Sequence, residues 1–212
     1  MTSTTLIIQP VIHHPQVEIE PPELFLREVS NRERVQLLDK TVRSWKNISM
    51  DRLGNIRQDP VLFPKDRETV ESYKDLLGMF NMFEDNGTNK RIQVVQDKSE
   101  RIQGVCTFTI NRGSLYINQL FTAPWNLKMH APNDEEYAGC TKRGVGTILI
   151  ANCYMIAQER RLKRLELKPL DGSLTYYTDV IKMEEDKEEK TLFYTVIDIG
   201  LPKGLQTQLD RA

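Results

Sequence analysis

The spacing of hydrophobic residues changes twice along the chain. Val35, Leu38, Val42 and Trp45 recur at steps of three and four, one stripe of an amphipathic helix. Ser30-Asn31-Arg32-Glu33 just ahead has the form of a capping box, in which a hydroxyl and a carboxylate satisfy free amides reciprocally. The helix is expected to end near Asn47, before a loop holding Gly54, Pro60 and Pro64. Asp66 can cap a second helix with Val70, Tyr73, Leu77 and Phe80 on one face, and Asp85-Asn86-Gly87 reads as a turn. The period then falls to two. Arg91–Gln96 is a first strand of this region, and Ile102, Gly104, Cys106, Phe108 and Ile110 alternate with polar residues in the next. Asn111-Arg112-Gly113-Ser114 makes a hairpin turn, and Leu115–Ala123 runs on as a strand until Pro124 stops it.

From Trp125 to Cys140 the chain is polar and without period, a long loop. Helical spacing returns with Leu149, Ile150, Cys153, Ile156 and Ala157, and Arg160-Arg161 place cations at the C-terminal end as the helix dipole prefers. Leu162–Leu167 follows as a strand. Strand, helix and strand in that order predict a right-handed parallel crossover. Ser173–Ile181 reads as a short helix, Met183 to Lys190 as a solvated charge run, and Leu192–Ile199 as the last strand. Residues 1–22 read as an N-terminal extension with a strand near Val17–Glu20, residues 23–200 as one domain, and residues 201–212 as a frayed tail. No internal repeat is present.

The helix at residue 145 opens on Lys142-Arg143-Gly144-Val145-Gly146-Thr147. Glycines at a helix start let backbone come close to an anion, and the free amides of the first turn, with the helix dipole, favour phosphate. The glycines precede the helix rather than follow it, which separates this pattern from a C-cap turn. It lacks both the Gly-Lys-Ser/Thr of a nucleotide phosphate loop and the third glycine of a dinucleotide fingerprint.

Composition narrows the partners. In 212 residues, 39% are hydrophobic, enough for the core of one domain. A net charge of −1 gives no global attraction to nucleic acid or to an anionic membrane. No apolar run has the length of a bilayer span, and the N-terminus lacks the basic start and long apolar centre of a signal peptide. The three cysteines have no Cys-x-x-Cys spacing; Cys106 and Cys153 sit at apolar positions, and Cys140 lies in the loop. A reducing, cytoplasmic setting is expected. His13-His14 have no carboxylate or cysteine at ligand spacing, so no metal is implied.

Three features together carry a resemblance. Ile117-Asn118-Gln119-Leu120-Phe121-Thr122-Ala123-Pro124 resembles the fourth strand of the GCN5-related N-acetyltransferase (GNAT) family. Gly144-Val145-Gly146 falls where that family has its acyl-CoA pyrophosphate loop, and Tyr176-Tyr177 where it often has an aromatic followed by tyrosine. The resemblance spans roughly residues 90 to 200. It implies an α/β fold with a mixed, mostly antiparallel sheet splayed between strands 4 and 5. Three departures stand out. Thr141 occupies the position where the family usually has Gln or Arg, a long insertion separates Pro124 from Cys140, and the usual Gly-aromatic pair after the tyrosine appears only as Ile181-Lys182-Met183. The last leaves the tyrosine's register open by about one residue.

The resemblance implies acetyl-CoA as co-substrate, a primary amine (small molecule or protein) as acceptor, and no metal. A homodimer is allowed but not required. Lys142, Arg143, Gly144, Val145, Gly146 and Thr147 would hold the pyrophosphate. Leu120, Phe121 and Thr122 would offer free backbone groups to the pantetheine arm, and an amide near Leu120 or Phe121 would face the thioester oxygen. Tyr177 is the candidate acid for the departing thiolate, with Tyr176 as the second choice; a phenol near pKa 10 suits an alkyl thiolate. Relatives often carry a strand-four glutamate as base. Asn118 and Gln119 stand there and cannot take a proton at neutral pH. Glu166, His130, Asp134, Glu135 and Glu136 are substitutes, as is water, and none is singled out. The insertion could serve as a lid over the acceptor. The missing acid also leaves open a non-catalytic acyl-CoA-binding or partner-binding module on the same fold.

Overall fold

The structure, a computed structural model, describes residues 24–58, 74–75, 77–78, 90–126, 142–170, 173–197 and 200–211. Seven strands form one sheet: β1 (Leu24–Val29), β2 (Arg91–Asp97), β3 (Ile102–Asn111), β4 (Ser114–Thr122), β5 (Arg164–Leu167), β6 (Glu184–Asp186) and β7 (Thr191–Thr195). Their order is β1-β2-β3-β4-β5-β7-β6. Every pairing is antiparallel except β4 with β5. A parallel pair needs a crossover, and α3 (Val145–Glu159) supplies it.

Helices cover both faces. On one lies the stretch α1 (Asn31–Leu37), a π-helical segment (Leu38–Val42) and α2 (Arg43–Gln58). It buries Val42, Trp45 and Leu53 and packs with Val94, Val105, Phe121 and Trp125. On the other lies α3, whose Leu149, Ile150, Cys153 and Tyr154 meet Leu115, Ile117, Leu165 and Leu167. The capping box forms: Glu33 accepts from the Ser30 amide at 3.0 Å and from its hydroxyl at 2.7 Å, and those bonds hold its carboxyl below the usual range. The hairpin turn also forms, with Arg112 at φ 43° and Gly113 at φ 93°, both left-handed as a two-residue turn requires.

One irregularity in β4 decides the site. Phe108 pairs with Ile117 and Thr107 with Gln119, so Asn118 has no partner on β3. The extra residue is a β-bulge, and beyond it side chains swap faces. Leu115 and Ile117 point into the α3 core; Phe121 and Ala123 point into the α2 core, while Leu120 packs on the α3 side.

Several expectations need correction. Strand β1 was not foreseen, because Leu-Phe-Leu-Arg-Glu-Val does not alternate cleanly. The first helical stretch does not end near Asn47 but runs through Gly54 to Gln58, since Ser49 and Leu53 continue the buried stripe. Trp125 does not begin a polar loop; it is 5% exposed, edge-on to Trp45 at 5.9 Å. The charge run contains an edge strand, β6, and the last strand ends at Thr195 rather than Ile199. The tail holds a helix, α4 (Lys203–Leu209), anchored by fully buried Leu205. The strand near Val17–Glu20, the turn at Asp85-Asn86-Gly87, most of the Asp66 helix and residues 127–141 of the insertion lie outside the described residues.

Candidate functional site

Gly144 introduces α3 at φ 74° and ψ −1°, a left-handed conformation that glycine adopts without steric cost, and among the described residues no side chain caps the helix. The first helical bond runs from the Ile148 amide to the Gly144 carbonyl at 2.9 Å. The amides of Val145, Gly146 and Thr147 therefore precede the helical ladder. Gly104 on β3 lets this turn sit low. A Cβ there would collide with Val145 and come within 3.1 Å of Leu149 Cδ1. Gly146 is different: among the described residues a Cβ on it would meet Leu120 Cδ2 alone, at 3.6 Å, so they leave the helix mouth open there. Lys142 is half-buried, its amide donating to Asn126 Oδ1 at 2.7 Å, and Arg143 is exposed.

Beside this mouth the sheet opens. β4 and β5 pair from Ser114–Arg164 to Ile117–Leu167 and no further, although β4 continues to Thr122. Antiparallel neighbours alternate between exchanging hydrogen bonds and facing away. The Ala123 amide bonds the Gln103 carbonyl at 2.9 Å, so Phe121 opposite Val105 also spends its backbone on β3. Leu120 and Thr122, opposite Cys106 and Gly104, turn theirs toward the gap. Of the three residues expected at the pantetheine arm, these two have free-facing backbone and Phe121 does not.

The paired tyrosines stand in a π-helical turn, Tyr176–Val180, closed by the Ile181 amide on the Tyr176 carbonyl at 3.1 Å. The Met183 amide bonds the Tyr177 carbonyl at 2.9 Å across Lys182, whose φ is 62°. A lysine thus stands in the left-handed position that ends the turn, where glycine is the usual residue. The two rings pack edge-on at 5.6 Å but differ in setting. The Tyr176 hydroxyl lies 2.8 Å from Thr147 Oγ1, at the mouth of α3. Tyr177 is 9% exposed in the α3 core. Burial pushes its phenol well above the ordinary value, and Tyr176 and Cys106 push it further.

The strand-four amides are structural. Gln119 is 4% exposed and accepts from Thr107 at 3.2 Å; Asn118 donates to the Tyr116 carbonyl at 3.3 Å. Glu166 accepts from the Ser114 hydroxyl at 2.8 Å. His130, Asp134, Glu135 and Glu136 lie outside the described residues. Sequence reasoning missed a polar knot below the mouth. Fully buried Gln103 accepts from Trp125 Nε1 at 2.9 Å and from Asn126 Nδ2 at 3.0 Å, while donating to Asp97 at 2.7 Å. Asn126 thereby links the start of the insertion to Lys142 at its end. The Trp-Asn pair after Pro124 was the available signal, since a tryptophan in a polar stretch needs somewhere to bury.

Among the described residues, no group of three or more His, Cys, Asp or Glu could hold a metal, and no helix is long and apolar enough to cross a membrane. No family model and no curated protein matches the chain. Solved structures do. PaiA N-acetyltransferase from Thermoplasma acidophilum, in complex with coenzyme A, is 15% identical over 82% of this chain and 99% of its own, with a TM-score of 0.43. A GNAT family acetyltransferase from Staphylococcus aureus Mu50 is 11% identical over 82% and 99%, at 0.44. One from Brucella melitensis, in complex with acetyl-CoA, is 10% identical over 85% and 93%, also at 0.44. Similarity at that level carries no residue across. The topology stands by itself: a mixed sheet with one parallel pair, a gap beyond it and a glycine-opened helix at the gap give this chain the GNAT fold.

Proposed function

We propose that the chain is an N-acetyltransferase that moves the acetyl group of acetyl-CoA to a primary amine by direct attack. The observation that carries this reading is the opening between β4 and β5, which begins where their pairing ends at Ile117 and lies beside a helix start with no side-chain cap among the described residues. The amides of Val145, Gly146 and Thr147 meet the pyrophosphate, with Lys142 and Arg143 adding charge. Leu120 and Thr122 hold the pantetheine arm as a further strand would. The amine attacks the thioester carbonyl, the carbonyl electrons move onto oxygen, and the Leu120 amide faces that oxygen. As they return, the carbon–sulfur bond breaks.

The tyrosines divide the ligand between them. Tyr176, bonded to Thr147, serves the phosphate end. In this reading Tyr177, which shares the α3 core with Cys106, the cross-strand partner of Leu120, offers its phenol to the sulfur. Its raised pKa keeps the proton in place at neutral pH. A thiolate expelled into the same dry space is itself destabilised, which favours taking that proton. The excess proton of the amine leaves through water, and water returns a proton to the Tyr177 phenolate.

The test is calorimetry with acetyl-CoA followed by thiol release with a panel of primary amines. Heat and turnover are expected. Heat without turnover on any amine would leave an acyl-CoA-binding module, the reading favoured by Asn118 and Gln119. Absence of heat at millimolar acetyl-CoA would remove both.

A further inference from the structure

The chain beyond β7 returns to the tyrosine turn. Gln158 Nε2 donates to the carbonyls of Ile197 and Gly200 at 2.7 and 2.8 Å, and the Ile197 amide donates to the Tyr154 hydroxyl at 2.9 Å. These bonds pin the connection to α3 and deliver α4 over residues 181–182. Leu205 is fully buried, and Gly204 lies against the Ile181 peptide. A Cβ at Gly204 would overlap the Ile181 carbonyl oxygen, sit 2.7 Å from its carbon and reach Lys182 Cγ at 3.0 Å. The same carbonyl oxygen accepts the hydroxyl of Tyr194 on β7. The amide side of Ile181 closes the π turn on Tyr176. One residue is thus gripped from α4, from β7 and from the turn itself.

A five-residue π turn has poor hydrogen-bond geometry and too few bonds to sustain itself. Its shape must come from what packs on its end. We propose that α4 sets the conformation of the tyrosine turn, with Gly204 as a positioning residue that holds Tyr176 and Tyr177 at the site; the catalytic part of this rests on the acetyltransferase reading. Leucine burial alone would make α4 a cover. The contact of a glycine Cα with the last peptide of the turn makes it a stop against which the turn is set.

The experiment compares the full chain with Gly204→Ala and Tyr194→Phe by amide exchange, acetyl-CoA calorimetry and turnover. In Gly204→Ala, the Ile181 and Met183 amides should exchange about tenfold faster, as befits loss of one supporting hydrogen bond or its equivalent, while α3 amides hold. Acetyl-CoA affinity should fall by less than about tenfold, the limit set by the Tyr176 contact, and kcat should fall about 10- to 100-fold, the cost of a displaced reacting group. Tyr194→Phe should move all three readouts the same way by less. Unchanged exchange at Ile181 and Met183 in a folded variant would overturn the proposal, as would equal loosening throughout α3. If Gly204→Ala does not fold, Tyr194→Phe decides by the same exchange criterion. If the unaltered protein turns over no amine, the acetyltransferase reading fails and the exchange measurement still decides what α4 does to the turn.

Discussion

The two halves of β4 have nearly the same composition and opposite duties. Up to Ile117 the strand is paired on both sides, and its odd-numbered side chains face α3. Beyond Asn118 it is paired on one side, and its odd-numbered side chains face α2. A bulge of one residue accounts for the change of face. The lesson is that a gap in a sheet need not be cut by polar residues. Here apolar Leu120 stands at the gap because the bulge turned it to the α3 side, while its backbone carries the polar groups.

The comparison breaks first at Tyr177. If the second half of β4 is where a thioester sits, Tyr177→Phe should lower kcat by roughly 10²–10⁴, the usual range for losing a general acid. Acetyl-CoA affinity should be nearly unchanged, because the role proposed for the phenol is at the sulfur rather than the phosphates. Steady-state kinetics with parallel calorimetry reads both. An unaltered kcat would return Tyr177 to the core as a packing residue.

The next strongest probe is Gly104→Ala. The added methyl collides with the Val145 side chain, so Val145 or the first turn of α3 that carries it must shift. Overpacking of this kind costs about 1–3 kcal/mol, readable as a lower Tm. Because the displaced turn is the one with free amides, acetyl-CoA affinity should fall as well. Loss of stability with intact affinity would mean the first turn of α3 does not hold the ligand.

How far the sequence revealed this arrangement differs by feature. The period-two runs gave β2, β3 and β4 nearly to the residue, although only β4 alternates between buried and half-buried positions while the middles of β2 and β3 are buried on both faces. The glycine start of α3 was equally plain, because a local backbone requirement writes itself into local residues. What could not be read were contacts across long separations. The bulge at Asn118 shows only against β3. The knot of Gln103, Trp125 and Asn126 joins residues more than twenty positions apart. Tail residues 201–212 look polar and frayed, yet α4 is fixed by one leucine and one glycine contact. The π turn at Tyr176–Val180 could not be read either, because no residue pattern announces one.

A smaller effect separates the paired tyrosines. Tyr176→Phe removes the 2.8 Å contact with Thr147. A neutral hydrogen bond of this kind is worth about 1 kcal/mol, so acetyl-CoA affinity should change by less than about tenfold and kcat hardly at all. A kcat loss larger than that of Tyr177→Phe would exchange the roles given to the two residues.

The smallest effect lies at alkaline pH, and its sign follows from burial. The folded protein holds the Tyr177 proton more tightly than an unfolded chain, where a tyrosine titrates near pH 10. Below that pH both states are protonated and stability is unaffected. Above about pH 10 the unfolded chain releases a proton that the folded one keeps, so stability falls as pH rises, by at most about 1.4 kcal/mol per pH unit for each such group. Tyr194 is raised in the same direction, so two groups contribute. Thermal melts between pH 8 and 11 should show Tm dropping at the upper end, with a shallower drop in Tyr177→Phe. Parallel curves for the two proteins would mean that Tyr177 sits in a wetter place than the α3 core, and the dry setting assigned to the sulfur would go with it.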